Sequence, residues 1–134
     1  MTFDQAFAIV VGIEAGYADD PADPGGQTKY GISKRAYPQI DIASLTLDQA
    51  KAIYLRDYWH LCKCDELTPD LALAVFDCAV NQGVSTALRI QGLAKTLIDF
   101  QAERALRYAQ LSTFSRFGRG WMRRLFTIYE AARQ

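Results

Sequence analysis

The sequence predicts a mainly α-helical fold with a small loop or β-hairpin after the first helix, and three observations carry that reading. Apolar residues recur at helical spacing through successive stretches, and residues that start or stop helices bracket those stretches. Between the first and second stretches, residues 17–31 concentrate Pro21, Pro24, Gly25, Gly26 and Gly31 with Asp19, Asp20 and Asp23, a composition that breaks helices and favours turns. No internal repeat, low-complexity segment or β-rich stretch competes with the helices.

Thr2 precedes Phe3, Phe7, Ile9, Val10 and Ile13, the pattern of a largely buried first helix with Thr2 as its N-cap. Gly16 is the expected terminator, which would put Glu14 in the last helical turn. Segment 17–31 is long for a connection inside a compact domain, and such loops tend to carry function. Thr46 with Gln49 three residues later forms a capping box for a helix over Leu47 to Trp59, with Ala50, Ile53, Tyr54 and Tyr58 on one face. Thr68-Pro69 opens another helix, since proline at the first helical position gives up no bonded N–H; Leu71, Val75 and Ala79 follow, and Gly83 ends it. A turn or short helix covers Val84 to Ile90. Helices over Lys95 to Leu111 and Gly120 to Arg133 complete the set.

At 134 residues, half of them hydrophobic and 22% charged, the chain has the length and composition of one globular domain spanning residues 1–134. Its longest apolar run, Ala6 to Ile13, is eight residues, far below the roughly 20 that span a bilayer, so no membrane insertion is expected. The amino terminus has an acid before its apolar stretch and no base before Lys29, so the expectation is synthesis in the cytoplasm without a signal peptide. The net charge of zero hides a bipolar distribution. Residues 1–70 hold eleven acids and six bases, and residues 71–134 hold four acids and nine bases.

Within fifteen residues the chain places two carboxyls, Glu14 and Asp23, and the hydroxyl of Thr28. Two carboxyls flanking a cleft are the minimum for glycoside hydrolysis, because one must donate a proton to the leaving oxygen while the other stabilises charge or activates water. At a helix C-terminus, the partial negative charge would raise the pKa of Glu14 in the direction a general acid needs. The alternative is a surface glutamate and aspartates that only shape turns. Sugar sites add aromatic faces and amides, for which Tyr17, Tyr30, Tyr58, Trp59, Asn81 and Gln82 are candidates, against core packing for the aromatics. Asp77, mid-helix among apolar residues, reads as a buried hydrogen-bond acceptor or a wall of the site, and the structural role is the one expected.

The run Glu14-Ala15-Gly16-Tyr17 followed by Asp23-Pro24-Gly25-Gly26-Gln27-Thr28-Lys29-Tyr30-Gly31-Ile32-Ser33 resembles the opening of the phage-endolysin type N-acetylmuramidases of glycoside hydrolase family 108, also called the secretion activator type. The resemblance continues in Tyr58-Trp59, in Phe76-Asp77-Cys78-Ala79-Val80-Asn81-Gln82-Gly83 and in Phe117-Gly118-Arg119-Gly120-Trp121, touching nearly the whole chain. It implies a lysozyme-like helical domain that cuts the β-1,4 bond between N-acetylmuramic acid and N-acetylglucosamine in peptidoglycan, with Glu14 essential and no cofactor. Action on the cell wall, in the periplasm or after release, follows from it. Two positions depart from the family pattern. Ala15 stands where the family has glycine, and Gln91 to Leu97 resembles a shortened form of a peptidoglycan-binding unit, so the region from about 91 to 134 is expected to be a reduced version of it. The spacing is also similar to that of phage lysozymes, which implies Glu14 as the general acid, Asp23 as the group that orients or activates water, and Thr28 as a hydroxyl holding that water. The separation of the carboxyls, and with it inversion or retention, stays open.

Three other readings compete. His60, Cys62, Cys64 and Cys78 supply zinc-type side chains, but Cys-x-Cys with no second pair lacks the usual ligand spacing, and no metal is expected. Arg104, Arg107, Arg116, Arg119, Arg123 and Arg124 interleave with aromatics and with no acid between Arg104 and Arg124, a pattern that could bind nucleic acid, form a solvated helix face or meet anionic groups of the cell wall. The neutral total charge favours the solvated face, so no nucleic-acid partner is expected. A non-catalytic peptidoglycan-binding module is the remaining alternative.

Overall fold

The computed structural model describes residues 1–12, 17–19 and 26–134. Among these residues it contains six α-helices and a three-stranded antiparallel sheet. The chain divides into two compact units, an N-terminal one of Phe3–Asp57 and a C-terminal one of Tyr58–Gln134 with Met1–Thr2.

The N-terminal unit begins with α1 (Phe3–Val10), which buries Ala6, Phe7 and Val10. It ends earlier than Gly16. The amides of Val11 and Gly12 both donate to the Phe7 carbonyl, and Gly12 takes a φ of +78°, a conformation open to glycine and costly for other residues. An apolar pattern that ran on through Ile13 concealed this stop. The sheet follows, in the order β1 (Ala18–Asp19), β2 (Gln27–Lys29) and β3 (Ile32–Ser33); β1 and β2 lie in the segment 17–31 expected to hold a loop or hairpin, and β3 directly after it. Helix α2 (Leu47–Tyr54) carries the Thr46–Gln49 capping box in full: the Gln49 amide donates to Thr46 Oγ1 at 3.1 Å and the Thr46 amide to Gln49 Oε1 at 2.9 Å. Ala50, Ile53 and Tyr54 are its buried face.

The helix then widens into a π-helical turn, Leu55–Trp59. A wide turn slips the helical phase by one position, so Trp59, 1% exposed, takes the buried place that 3.6-residue periodicity assigned to Tyr58, which is half-buried.

The C-terminal unit is built around α3 (Pro69–Gln82), with Pro69 at its start and Gly83 at its end, as the sequence indicates. Leu71 through Ala79 are all buried, so α3 is a central helix enclosed on every side and not the one-sided stripe of Leu71, Val75 and Ala79. It packs against α4 (Val84–Leu93), α5 (Leu97–Ala109) and α6 (Phe114–Ala132). Thr96 caps α5 by accepting from the Asp99 amide at 3.2 Å. Helix α6 starts six residues before Gly120, through two glycines that would ordinarily weaken a helix by about 1 kcal/mol each. Aromatic packing offsets that cost. Trp121 stacks on Tyr108 of α5 with centroids 4.6 Å apart and planes 14° off parallel, and Phe114 and Phe117 lie beside it. A Cβ on Gly118 would meet the Phe114 ring at 2.8 Å, so this glycine leaves room for the ring.

Asp77 of α3, wholly buried, joins the three helices. Arg104 of α5, also fully buried, donates Nη2 to its Oδ2 at 2.8 Å, and Arg124 of α6 donates Nη2 and Nε to its Oδ1 at 2.6 and 2.9 Å. Arg104 continues to Gln101 Oε1 at 3.1 Å, and Gln101 Nε2 reaches the Leu125 carbonyl at 2.8 Å. The arginine patch read from the sequence is corrected here, because two of its six members face the core carboxylate. Removing Asp77 leaves Arg104 buried without a counter-charge, and loss of one partner of such a pair costs about 3–5 kcal/mol. Asp77→Ala is expected to lower the urea-unfolding free energy by that amount.

Candidate active site

In the N-terminal unit, antiparallel pairing sets Ala18 opposite Thr28 and Asp19 opposite Gln27, while Thr28 also pairs with Ser33 on β3. Thr28, half-buried, therefore sits in the middle strand of the sheet. Tyr17, 46% exposed, is tied to that strand by a 2.9 Å hydrogen bond from Gln27 Nε2 to its hydroxyl. The sheet thus brings Tyr17 beside the strand that carries Thr28. Glu14 and Asp23, with the rest of segments 13–16 and 20–25, lie outside the described residues. The expectation that Glu14 sits in a last helical turn therefore falls outside the described residues as well, α1 itself spanning Phe3–Val10.

Tyr30 and Gly31 form the two-residue turn between β2 and β3, with φ values of +51° and +77°. Both positive values belong to a type I′ turn, whose twist matches the flanking strands. A non-glycine residue in that conformation needs support, and Tyr54 supplies it by donating its hydroxyl to the Tyr30 carbonyl at 2.9 Å. Tyr54 in turn packs edge-on against Phe7 of α1, centroids 5.4 Å apart. A Cβ on Gly31 would collide with the Tyr54 hydroxyl, so the turn and the tyrosine fit only with glycine there. Lys29 reaches the Ala43 carbonyl at 3.1 Å and fixes the strand end to the following loop. Asp57, at the other end of this unit, accepts from the Tyr37 hydroxyl at 2.6 Å and from Arg56; the Arg56 hydrogen bond holds its carboxyl below the usual aspartate range.

The C-terminal unit holds the other four candidates. Trp59 is a core residue: its Nε1 donates to Asp65 Oδ1 at 2.9 Å and its ring lies edge-on to Phe76 at 5.5 Å, so it offers no face to a ligand. Tyr58 is half-buried. Asn81 is exposed at the end of α3, with its Nδ2 donating to the Asp77 carbonyl and to Asp77 Oδ1, both at 3.0 Å. Gln82 accepts at Oε1 from Arg104 Nε at 2.7 Å, and its Nε2 is buried with no hydrogen-bond partner among the described residues.

Sequence reasoning missed Arg104, Arg124 and Tyr54 as the residues that organise these positions. One signal was available for Arg104, which falls on the apolar stripe of α5 with Leu97, Phe100 and Tyr108. A cation on a buried stripe requires a buried anion, and Asp77 was the isolated acid in an apolar helix.

Cys62, Cys64 and Cys78 are free and buried. Burial pushes the Cys62 and Cys78 thiols up to about 11 and raises Cys64 further, so all three stay protonated near neutral pH. Among the described residues no group of three or more His, Cys, Asp or Glu side chains is arranged to hold a metal ion.

The profile of the glycosyl hydrolase 108 family matches residues 7–83. Among solved structures, the chain is similar to that described as the structure of Brucella abortus SagA, with a TM-score of 0.81 and 26% identity over 97% of this chain and 92% of that one. Comparison with curated proteins returned no match.

Tyr54→Phe keeps the ring packing on Phe7 and removes only the hydroxyl that holds the Tyr30 carbonyl. The expected loss is about 1 kcal/mol in denaturant unfolding, with faster amide exchange at β2 and β3 and unchanged exchange in α3.

Proposed function

This chain belongs to the glycosyl hydrolase 108 family, and from that premise we propose that it is an N-acetylmuramidase cutting the β-1,4 bond between N-acetylmuramic acid and N-acetylglucosamine of peptidoglycan. The observation that carries the proposal is the extent of the family match. Residues 7–83 are more than half of the chain and include every residue assigned below.

In this reading Glu14 is the general acid. Its carboxyl gives a proton to the glycosidic oxygen as the bond from that oxygen to the anomeric carbon breaks, and water adds to the anomeric carbon. Asp23 orients or activates that water, and the Thr28 hydroxyl holds it. A threonine in the middle strand of a sheet pinned by Tyr54 has the fixed position such a role needs.

The glycan-binding assignment narrows on physical grounds. Tyr17, Tyr30, Tyr58 and Asn81 retain exposed surface for a sugar, whereas Trp59 supports the core. Gln82 is a positioning group, because its oxygen is committed to Arg104 and its nitrogen is covered. The described residues include no helix long and apolar enough to cross a membrane, and the substrate places the site of action at the cell wall.

Purified peptidoglycan treated with the wild-type chain is expected to release fragments whose new reducing ends are N-acetylmuramic acid, identified by mass spectrometry. Glu14→Gln is expected to release them at least about 100-fold more slowly, the lower end of what a positioned general acid contributes. Equal release by both proteins removes Glu14 from the mechanism. Binding to the wall without release by either supports the non-catalytic module instead.

A further inference from the structure

One face of α5 is turned to solvent and carries no charge: Ile98, Ala102, Leu106 and Ala109 follow one another along it at helical spacing. Ile98 is 62% exposed and Leu106 58%. The neighbouring helices extend the apolar surface, α4 with Leu93 at 68% and α6 with Phe126 at 67%. Ile98, Ala102 and Phe126 line a groove of about 290 Å³ between α5 and α6, and Leu93 and Leu106 line one of about 160 Å³ between α4 and α5. Four large apolar side chains this exposed, on three adjacent helices of one unit, form the kind of patch that marks an interaction surface.

The charges around the patch select its occupant. Arg119, Arg123 and Arg133 stand seven before, three before and seven after Phe126, and so share its side of α6, with Glu130 the acid among them. Arg89 and Arg107 border the other groove beside Glu103, and Asp99 completes the rim on α5. Five cations face three anions. A second copy of the chain would set this positive rim against its own likeness, whereas an anionic lipid surface complements both the rim and the apolar centre.

We infer that this face docks on the surface of an anionic bilayer, with Leu93, Ile98, Leu106 and Phe126 entering the acyl boundary and the arginines meeting headgroup phosphates. The contact is peripheral and independent of the glycan-cleaving residues.

Sedimentation of the full chain with mixed phosphatidylglycerol–phosphatidylcholine vesicles, against phosphatidylcholine vesicles alone, tests it. Binding is expected only to the anionic vesicles and to weaken as salt rises. Phe126→Ser and Leu106→Ser each weaken it about tenfold, and Arg123→Gln about fivefold. These side chains are exposed, so the variants are expected to keep the wild-type circular dichroism, which is checked alongside. Absence of binding overturns the inference, as does binding that the serine variants leave unchanged. Concentration-dependent dimerisation in sedimentation velocity that Phe126→Ser abolishes also overturns it, and assigns the face to a second copy.

Discussion

A carboxylate with no access to water is the constraint on which the C-terminal unit depends. Asp77 lies in a helix buried on every side, where an unpaired charge is prohibitive, and two guanidinium groups from two other helices meet it. The geometry of that meeting fixes α5 and α6 on α3 more specifically than apolar contact alone, since Arg104 and Arg124 take different oxygens of the same carboxylate. The network then runs toward the end of α3. Asn81 shares Asp77 Oδ1 with Arg124, and Gln82 is held by Arg104, so the amides just before Gly83 take their directions from the core charge cluster. Burial of an ion pair is weak evidence for net stability, but removal of one member is strongly destabilising. The pair therefore locks an arrangement of helices that apolar residues alone would leave less defined.

The N-terminal unit solves a similar problem with a hydroxyl. Its strands are two and three residues long, too short to hold a sheet by themselves. Tyr54 links the turn between β2 and β3 to α2 through one hydrogen bond and to α1 through ring packing. Gly31 leaves space for that hydroxyl, which explains why Tyr30-Gly31 is a turn and why the strand carrying Thr28 has a fixed place. In both units, a polar group on a helix sets the position of residues assigned to the glycan.

Most of the helical framework was legible in the sequence because its signals are local. The Thr46–Gln49 box, Pro69 and Gly83 mark helix ends by hydrogen-bonding rules that operate within a few residues, and the structure obeys them. What was not legible depends on partners far along the chain. The last helix was expected to begin at Gly120, yet Tyr108, 13 residues before Trp121, supplies a stacking partner for an α6 that begins at Phe114 and runs through Gly118 and Gly120. The π-helical turn at Leu55–Trp59 breaks the periodicity on which face assignment rests, and so Trp59, a glycan candidate with core packing as its alternative, takes the buried place while Tyr58 is half-buried. Arg104 read as part of a basic patch because charge pattern ignores burial. Of the candidate residues, Tyr17, Thr28 and Tyr30 were singled out by the composition of their segment, whereas Tyr54, which supports the turn beside them, looked like one more apolar helix position.

The central proposal is a division of labour: Asp77, held by Arg104 and Arg124, serves the fold, and Glu14 is proposed to serve the reaction. Thermal unfolding of Glu14→Gln beside wild type tests it most directly, because a functional carboxyl removed from a site leaves stability unchanged or raised, whereas a structural one takes its contacts with it. The account predicts a Tm equal to or above that of wild type. A drop of more than about 4 °C, the equivalent of roughly 1 kcal/mol for a domain of this size, would contradict it by placing Glu14 among the groups that hold the chain together.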